Sequence, residues 1–188
     1  LEDLIIVLKN SCQLPDGTDD LSKGTYLLEI YCIEIQLCSL LHNTNRMRLI
    51  YPKTLNLNNI VCDPRIMSII REEGGKMYLH EGLWNDAYNE FYESFRSYQQ
   101  TGNVRAKIIL KYVLLASILS LSDINPFDAR EVKVYSDDTE IIAMSQLRNC
   151  MELNNIKKFE SIIANKSNKI LEDELLMKYI DTLRYRMK

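Results

Sequence analysis

The chain has 188 residues and a net charge of −3 with both signs scattered, so its composition gives no dominant attraction to nucleic acid or to an anionic membrane. Six Gly and four Pro are too few for the frequent turns of an all-β sandwich, which leaves an all-α fold in one elongated domain spanning residues 1–188. Five cysteines, at 12, 32, 38, 62 and 150, are odd in number and lack a C-x-x-C pair, the pattern of reduced, buried thiols in an intracellular protein.

Taken in order, Leu4, Ile5, Val7 and Leu8 predict a short apolar helix that stops before the turn cluster Leu14-Pro15-Asp16-Gly17. A long helix is predicted from about Leu21 to Leu41, with Tyr26, Leu27, Ile30, Ile33, Leu37 and Leu41 as its apolar stripe and Glu29, Glu34 and Gln36 between them. Asn43-Thr44-Asn45 supplies a turn and cap. The next amphipathic segment, Arg46 to about Val61, contains Pro52, which lacks a donor and predicts a kink or split. Asp63-Pro64 then restarts the helix, with the carboxylate as N-cap and proline where its missing N–H costs nothing.

From Arg71 to Tyr98 the sequence reads as two antiparallel helices joined at Glu81-Gly82. Gly82 suits the left-handed residue that ends a helix. Trp84, Ala87, Phe91 and Ser94 follow it on one face, alternating aromatic and small, which is the second-helix pattern of a tetratricopeptide-type unit. Gly74-Gly75 lies mid-helix at roughly 1 kcal/mol per glycine relative to alanine, so close packing of a neighbour against bare backbone is the expected compensation.

After the turn Thr101-Gly102-Asn103, the 14-residue apolar run from Ile108 to Leu121 carries Lys111 and is short of a membrane span, so it predicts a buried helix in a soluble protein. Residues 121–137 form the longest irregular stretch, where Val132 and Val134 alternate over too few positions for a strand. A helix capped by Asp137-Asp138 runs to Met151, a return helix covers Ile156 to Ala164, and a last helix starts at Leu171. The sum is about ten helices in stacked pairs, and turn residues Asn45 and Gly82 are separated by about the period of a helical-pair solenoid. Starting at Leu1 without methionine and ending in charged, still helical Arg184 to Lys188, the chain reads as part of something larger.

Catalytic and metal signatures are incomplete. His80-Glu81 lacks the second histidine of H-E-x-x-H, because Trp84 stands there, and with only His42 and His80 no histidine-rich metal site is expected. Gly74-Gly75-Lys76 is followed by Met77 rather than the Ser or Thr of a phosphate loop. Asp16 to Asp20 resembles a calcium loop until Leu21 and Leu27 take the glycine and glutamate positions. The carboxylate pair Glu72-Glu73 and the run Glu172-Asp173-Glu174 read as solvated helix faces, and Asn165-Lys166-Ser167 as an unused glycosylation sequon. No enzyme activity and no cofactor are expected.

Five blocks, LSKGTYLLEIYCIEIQL, REEGGKMYLHEG, KYVLLAS, DINPFDAREVKVY and DTEIIAM, resemble in order and spacing the helical-repeat part of the second-subunit family of the COP-nine signalosome, from about Leu1 to Met187. The combination of Ile124-Asn125-Pro126-Phe127-Asp128 with Gly74-Gly75-Lys76-Met77 is the specific part; the related proteasome-lid subunits share the architecture but lack the Asn-Pro-Phe-Asp loop. The resemblance implies a non-catalytic scaffold with a PCI domain, cytoplasmic and nuclear, in a complex that removes NEDD8 from cullin-RING ubiquitin ligases. It implies other PCI subunits as partners, cullin contacts mainly through N-terminal repeats missing from this chain, and a C-terminal winged helix also missing. Pro52, Cys32, Cys38 and Cys62 depart from the family pattern.

A stack of helical pairs offers a concave groove to a partner, and a free-standing peptide-binding module of tetratricopeptide type is the competing reading. Lys76, Arg105 and Lys111 are candidate partner contacts, with solvated surface charge as the simpler alternative. Asn125, Phe127 and Asp128 are loop candidates; Phe127 serves either as an anchor or, in the favoured account, as a cover over the apolar helix. Gly74, Gly75, Gly82, Trp84, Ala87 and Phe91 carry structure.

Overall fold

A computed structural model describes residues 2–57, 63–121 and 125–187, and these form ten α-helices and four short 3-10 turns with no strand among them. In order they are α1 (Glu2–Ser11), α2 (Gly24–Leu40), α3 (Thr44–Asn56), α4 (Pro64–Glu81), α5 (Trp84–Gln100), α6 (Arg105–Leu119), α7 (Arg130–Lys133), α8 (Thr139–Glu152), α9 (Ile156–Ala164) and α10 (Glu174–Arg186). Neighbours in sequence pack together, α2 on α3, α4 on α5, α5 on α6 and α8 on α9, and the layers join through α2 on α4 and α6 on α8. This is the all-α, tetratricopeptide-like stack of helical pairs expected from the periodicity.

Short polar side chains start the helices. Asn43 accepts from the Arg46 amide, Asp63 from Arg65 with Pro64 in the first turn, Asp138 from Glu140 and Ile141, and Asn155 from Lys158. Helices α2, α4, α6 and α8 each end at a left-handed residue: His42 (φ 53°), Gly82 (φ 77°), Leu121 (φ 53°) and Asn154 (φ 48°). The next amide reaches back into the helix in three of them, Asn43 to Cys38 O, Leu83 to Tyr78 O and Asn155 to Cys150 O, at 2.9 to 3.0 Å.

Two hydrophobic clusters meet at α4. One, built by α1 to α4, holds Leu27, Leu28, Tyr31, Ile35, Ile50, Tyr51, Ile70 and Met77. The other runs from Leu79 through Phe91 and Phe95 and the length of α6 to Ile180 and Leu183 on α10, while Ile69 and Tyr78 of α4 touch both. The α6 helix is buried from Ile109 to Leu119, as its all-round apolar pattern predicts.

Four expectations shift. The α2 stripe is rotated: Tyr26, Ile33 and Leu41 face solvent, while Leu28, Tyr31, Ile35 and Cys38 are buried with Leu27 and Ile30. A helix this apolar carries two overlapping stripes, and packing against α3 and α4 selects between them. The α3 helix starts at Thr44 and is not split at Pro52, whose ring is exposed while Ile50, Tyr51 and Thr54 hold the same turn in the core. Residues 130–133, inside the stretch expected to be irregular, form the helical turn α7, and the last helix starts at Glu174 under an Asp173 cap, preceded by a 3-10 turn at Ile170–Glu172. Cys12, Cys32, Cys38 and Cys150 are buried thiols; Cys62, the expected helix end near Val61, Leu1, Ile124 and Lys188 lie outside the described residues.

Candidate functional site

The α4–α5 hairpin is the centre of the stack, and its two helices touch where side chains are absent. A Cβ built on Gly75 would stand 2.6 Å from Phe91 Cδ1, and one on Gly74 2.2 Å from Tyr51 Cζ, so α5 and α3 both press an aromatic ring onto bare α4 backbone. Ala87, Phe91 and Ser94 are fully buried, and the Ser94 hydroxyl donates to Ser68 O across the pair at 2.7 Å. Trp84 at the head of α5 stands edge-on to Tyr179 of α10, with ring centroids 5.9 Å apart, and the guanidinium of Arg186 lies over its indole. The Tyr179 hydroxyl donates to Leu79 O at 3.1 Å, so α10 closes back onto the hairpin from a hundred residues away.

Charge inside the stack is organised. Glu72 and Glu73, expected on a solvated face, are buried at 2% and 8% exposure. Arg105 of α6 grips Glu72 with Nε and Nη2, Tyr98 of α5 donates to it at 2.9 Å, and Lys76 lies 2.7 Å from both Glu72 Oε1 and Glu73 Oε1. Burial alone would raise the Glu72 carboxyl; Arg105 and Lys76 overcome this and hold it below the usual carboxylate range. Burial likewise works against the Lys76 ammonium, and the two carboxylates reverse the sign and raise it.

Lys111, in the middle of α6, is 6% exposed and bridges Glu140 of α8 at 2.9 Å and Asp173 at 3.5 Å. Of the three basic candidates, Lys111 is held inside the stack, while Lys76 and Arg105 stay part-exposed and are committed to Glu72 and Glu73. In the loop before α7, Asn125 accepts from the Phe127 amide at 3.2 Å, Asp128 is exposed, and Phe127 is half-buried against the α6 cluster, folded back as a cover. The loop candidates and the basic candidates do not form one site.

Sequence reasoning missed the burial of four charged residues, one on each of four helices. Glu34, Glu72, Lys111 and Arg148 are buried charges of α2, α4, α6 and α8, each 37 to 39 residues after the last, and Glu73 of α4 is a fifth outside the series. Glu34 takes Lys9 of α1 and Arg46 of α3, and Arg148 donates to Ser117 of α6 at 3.2 Å. Their recurrence at the repeat period was a visible signal; their partners lie on other helices and were not.

His80 is exposed, with Nε2 2.6 Å from Lys178 Nζ, and Asp16 accepts from the Thr18 amide and hydroxyl in a turn. Among the described residues no three His, Cys, Asp or Glu side chains gather in a way that could hold a metal ion, and no helix is long and apolar enough to cross a membrane.

The chain is 41% identical over 183 residues to the COP9 signalosome complex subunit 2 of Drosophila melanogaster, covering 97% of this chain and 41% of that protein. It is 43% identical over 176 residues to the protein of the same name from Dictyostelium discoideum, covering 94% of this chain and 39% of that one. The 26S proteasome non-ATPase regulatory subunit 11 of Dictyostelium discoideum is more distant, 22% identical over 161 residues and 84% of this chain. No protein-family model matches. The chain spans about two fifths of the length of these relatives, and over nearly all of its own length it is homologous to a segment of signalosome subunit 2.

Proposed function

We propose that this chain is a scaffold segment of a signalosome second subunit, without catalytic groups of its own, which supports removal of NEDD8 from cullin-RING ligases through protein–protein contacts. The observation that carries the reading is the match itself, at 41% and 43% identity along 97% and 94% of the chain, to proteins named as that subunit. The fold agrees with a structural role: its buried charges tie helix to helix, and all three basic candidates are paired with carboxylates of the stack. The distance to the proteasome subunit, at 22% identity, disfavours a place in the proteasome lid.

On this reading the partners are other PCI subunits, cullin contacts fall in parts of the protein outside these residues, and the protein works in cytoplasm and nucleus. Affinity purification of the full-length protein from native lysate tests it. Recovery with other PCI subunits and a cullin supports the proposal, and recovery as a lone monomer overturns it. Fractionation of the same cells, with the protein in both nuclear and cytosolic pools, tests the location.

A further inference from the structure

Helices α8 and α9 present matching faces to one cleft of about 400 Å³. Thr139, Ile142, Ala143 and Gln146 line it from α8, and Lys158, Ser161, Ile162 and Asn165 line it from α9. Each set has the i, i+3, i+4, i+7 spacing of a single helical face, so both rows of side chains are directed at the same space. Ala143 and Ile162 are buried and form an apolar floor, while Thr139, Gln146, Lys158 and Ser161 are exposed along the walls. Thr139 and Gln146 bring a hydroxyl and a carboxamide, which donate and accept hydrogen bonds without charge.

The same segment is a basic patch on an acidic chain. Between Asn155 and Lys169 stand Lys157, Lys158, Lys166 and Lys169 against one carboxylate, Glu160, an excess of three positive charges where the whole chain has a net charge of −3. Glu160 is held by Arg184 through two bonds of 2.7 and 2.9 Å, so it is already matched. All four lysines are exposed, and among the described residues none of them is in an ion pair.

These features select one class of occupant. The nine residues of α9 rise by about 13 Å, which separates the Lys157–Lys158 end from the Lys166–Lys169 end by more than one small anion reaches. A run of Asp and Glu side chains on an extended segment spans it. The positive groups are lysines, while the neighbouring Arg184 is committed to Glu160; surfaces that read phosphopeptides use the bidentate fork of available arginines. No aromatic side chain lines the cleft, so a nucleobase has no face on which to stack.

We infer that the α8–α9 cleft docks an extended acidic segment of a partner protein, with its carboxylates on the four lysines and hydrogen bonds from Thr139 and Gln146. This holds whether or not the protein is a signalosome scaffold. Fluorescence anisotropy of the full-length protein with a labelled peptide of alternating Asp and Glu tests it, beside the matching Asn–Gln peptide, a singly phosphorylated neutral peptide and a short oligouridine.

Saturable binding of the acidic peptide is expected, at least tenfold tighter than each of the other three probes and weakening as salt rises. Lys158→Glu with Lys166→Glu, both at exposed positions, should weaken it at least tenfold. Gln146→Leu leaves every charge in place and should weaken it threefold or more, which reports the cleft itself and not the field around it. Lys53→Glu changes an exposed lysine on α3, beside the other hydrophobic cluster, and should alter binding less than twofold. An acidic peptide bound no better than the Asn–Gln peptide, or a loss from Lys53→Glu equal to that from the α9 pair, would overturn the inference. So would full binding by Gln146→Leu, or tighter binding of the phosphopeptide or the oligouridine. The probe comparison on the unaltered protein decides the matter even where a variant does not fold.

Discussion

Gly75→Ala adds one methyl group to the middle of α4 and sets two effects against each other. In a helix the change is worth about 1 kcal/mol in favour of alanine. Against that, the new Cβ would lie 2.6, 2.7 and 2.9 Å from three atoms of the Phe91 ring, about 1 Å inside ordinary carbon contact. The ring has little room to retreat, being fully buried with its centroid 5.6 Å from that of Tyr112 on the next helix. Overpacking of this kind costs about 1–3 kcal/mol, and a full ångström of overlap on an aromatic ring belongs in the upper half of that range.

The expected outcome is a net loss of about 1–2 kcal/mol once the helix term of roughly 1 is subtracted. In a chain of this length that lowers Tm by about 2–8 °C. Thermal and urea denaturation followed by circular dichroism measure it. A second leg isolates the cause: in a Phe91→Leu background the same alanine is expected to be neutral or stabilising, because the clashing edge is gone. A Gly75→Ala protein as stable as the parent, or an unchanged cost in the Phe91→Leu background, would refute steric contact as the reason for the glycine.

Four further outcomes follow from named contacts. Arg105→Met leaves Glu72 buried with only Lys76 and Tyr98; since the guanidinium is 45% exposed, a loss of about 2 kcal/mol is expected, below the 3–5 of a fully buried pair, and urea titration reads it. The folded Glu72, Asp138 and Glu140 carboxyls all sit below their ordinary values, each held down by lysine or arginine against burial. The unfolded chain therefore binds more protons through the carboxylate range, so their contribution is whole above about pH 5 and drains away as pH falls below about 4; Glu72→Gln should flatten this slope in acid titrations. Tyr179→Phe removes the bond to Leu79 O and should cost about 1 kcal/mol, with faster amide exchange in α10 as its signature. Leu121→Gly relieves a left-handed leucine that is exposed, and a gain of about 1 kcal/mol in denaturation is expected; a loss would show that its side chain matters more than its backbone.

What the sequence made legible was local. Asp63-Pro64 starts α4 and Gly82 ends it because a cap, a first-turn proline and a left-handed glycine act within a few residues of one another. Ile108 to Leu121 announced a buried helix because no face of it is polar. The left-handed exits at His42 and Leu121 were hidden, since neither side chain has an intrinsic reason to be there. The same limit explains Glu72: its partner Arg105 is 33 positions away on another helix, so a carboxylate that local reading places in water is in fact enclosed. Phe127 was read as a cover from the exposed apolar surface it had to shield, and it lies against that surface.

The position of α4 between the two hydrophobic clusters also sets the order in which the molecule comes apart. Fraying that enters from α1 strips one side of α4 but leaves Leu79 and its neighbours clamped, and loss of α10 strips the other side but leaves Ile70 and Met77 in place. Either partial opening stops at the same wall, so the two halves melt as separate units only as far as α4, and its loss takes both. Its mid-helix amides should be among the slowest in the chain to exchange with deuterium, and their rate reports the global unfolding free energy.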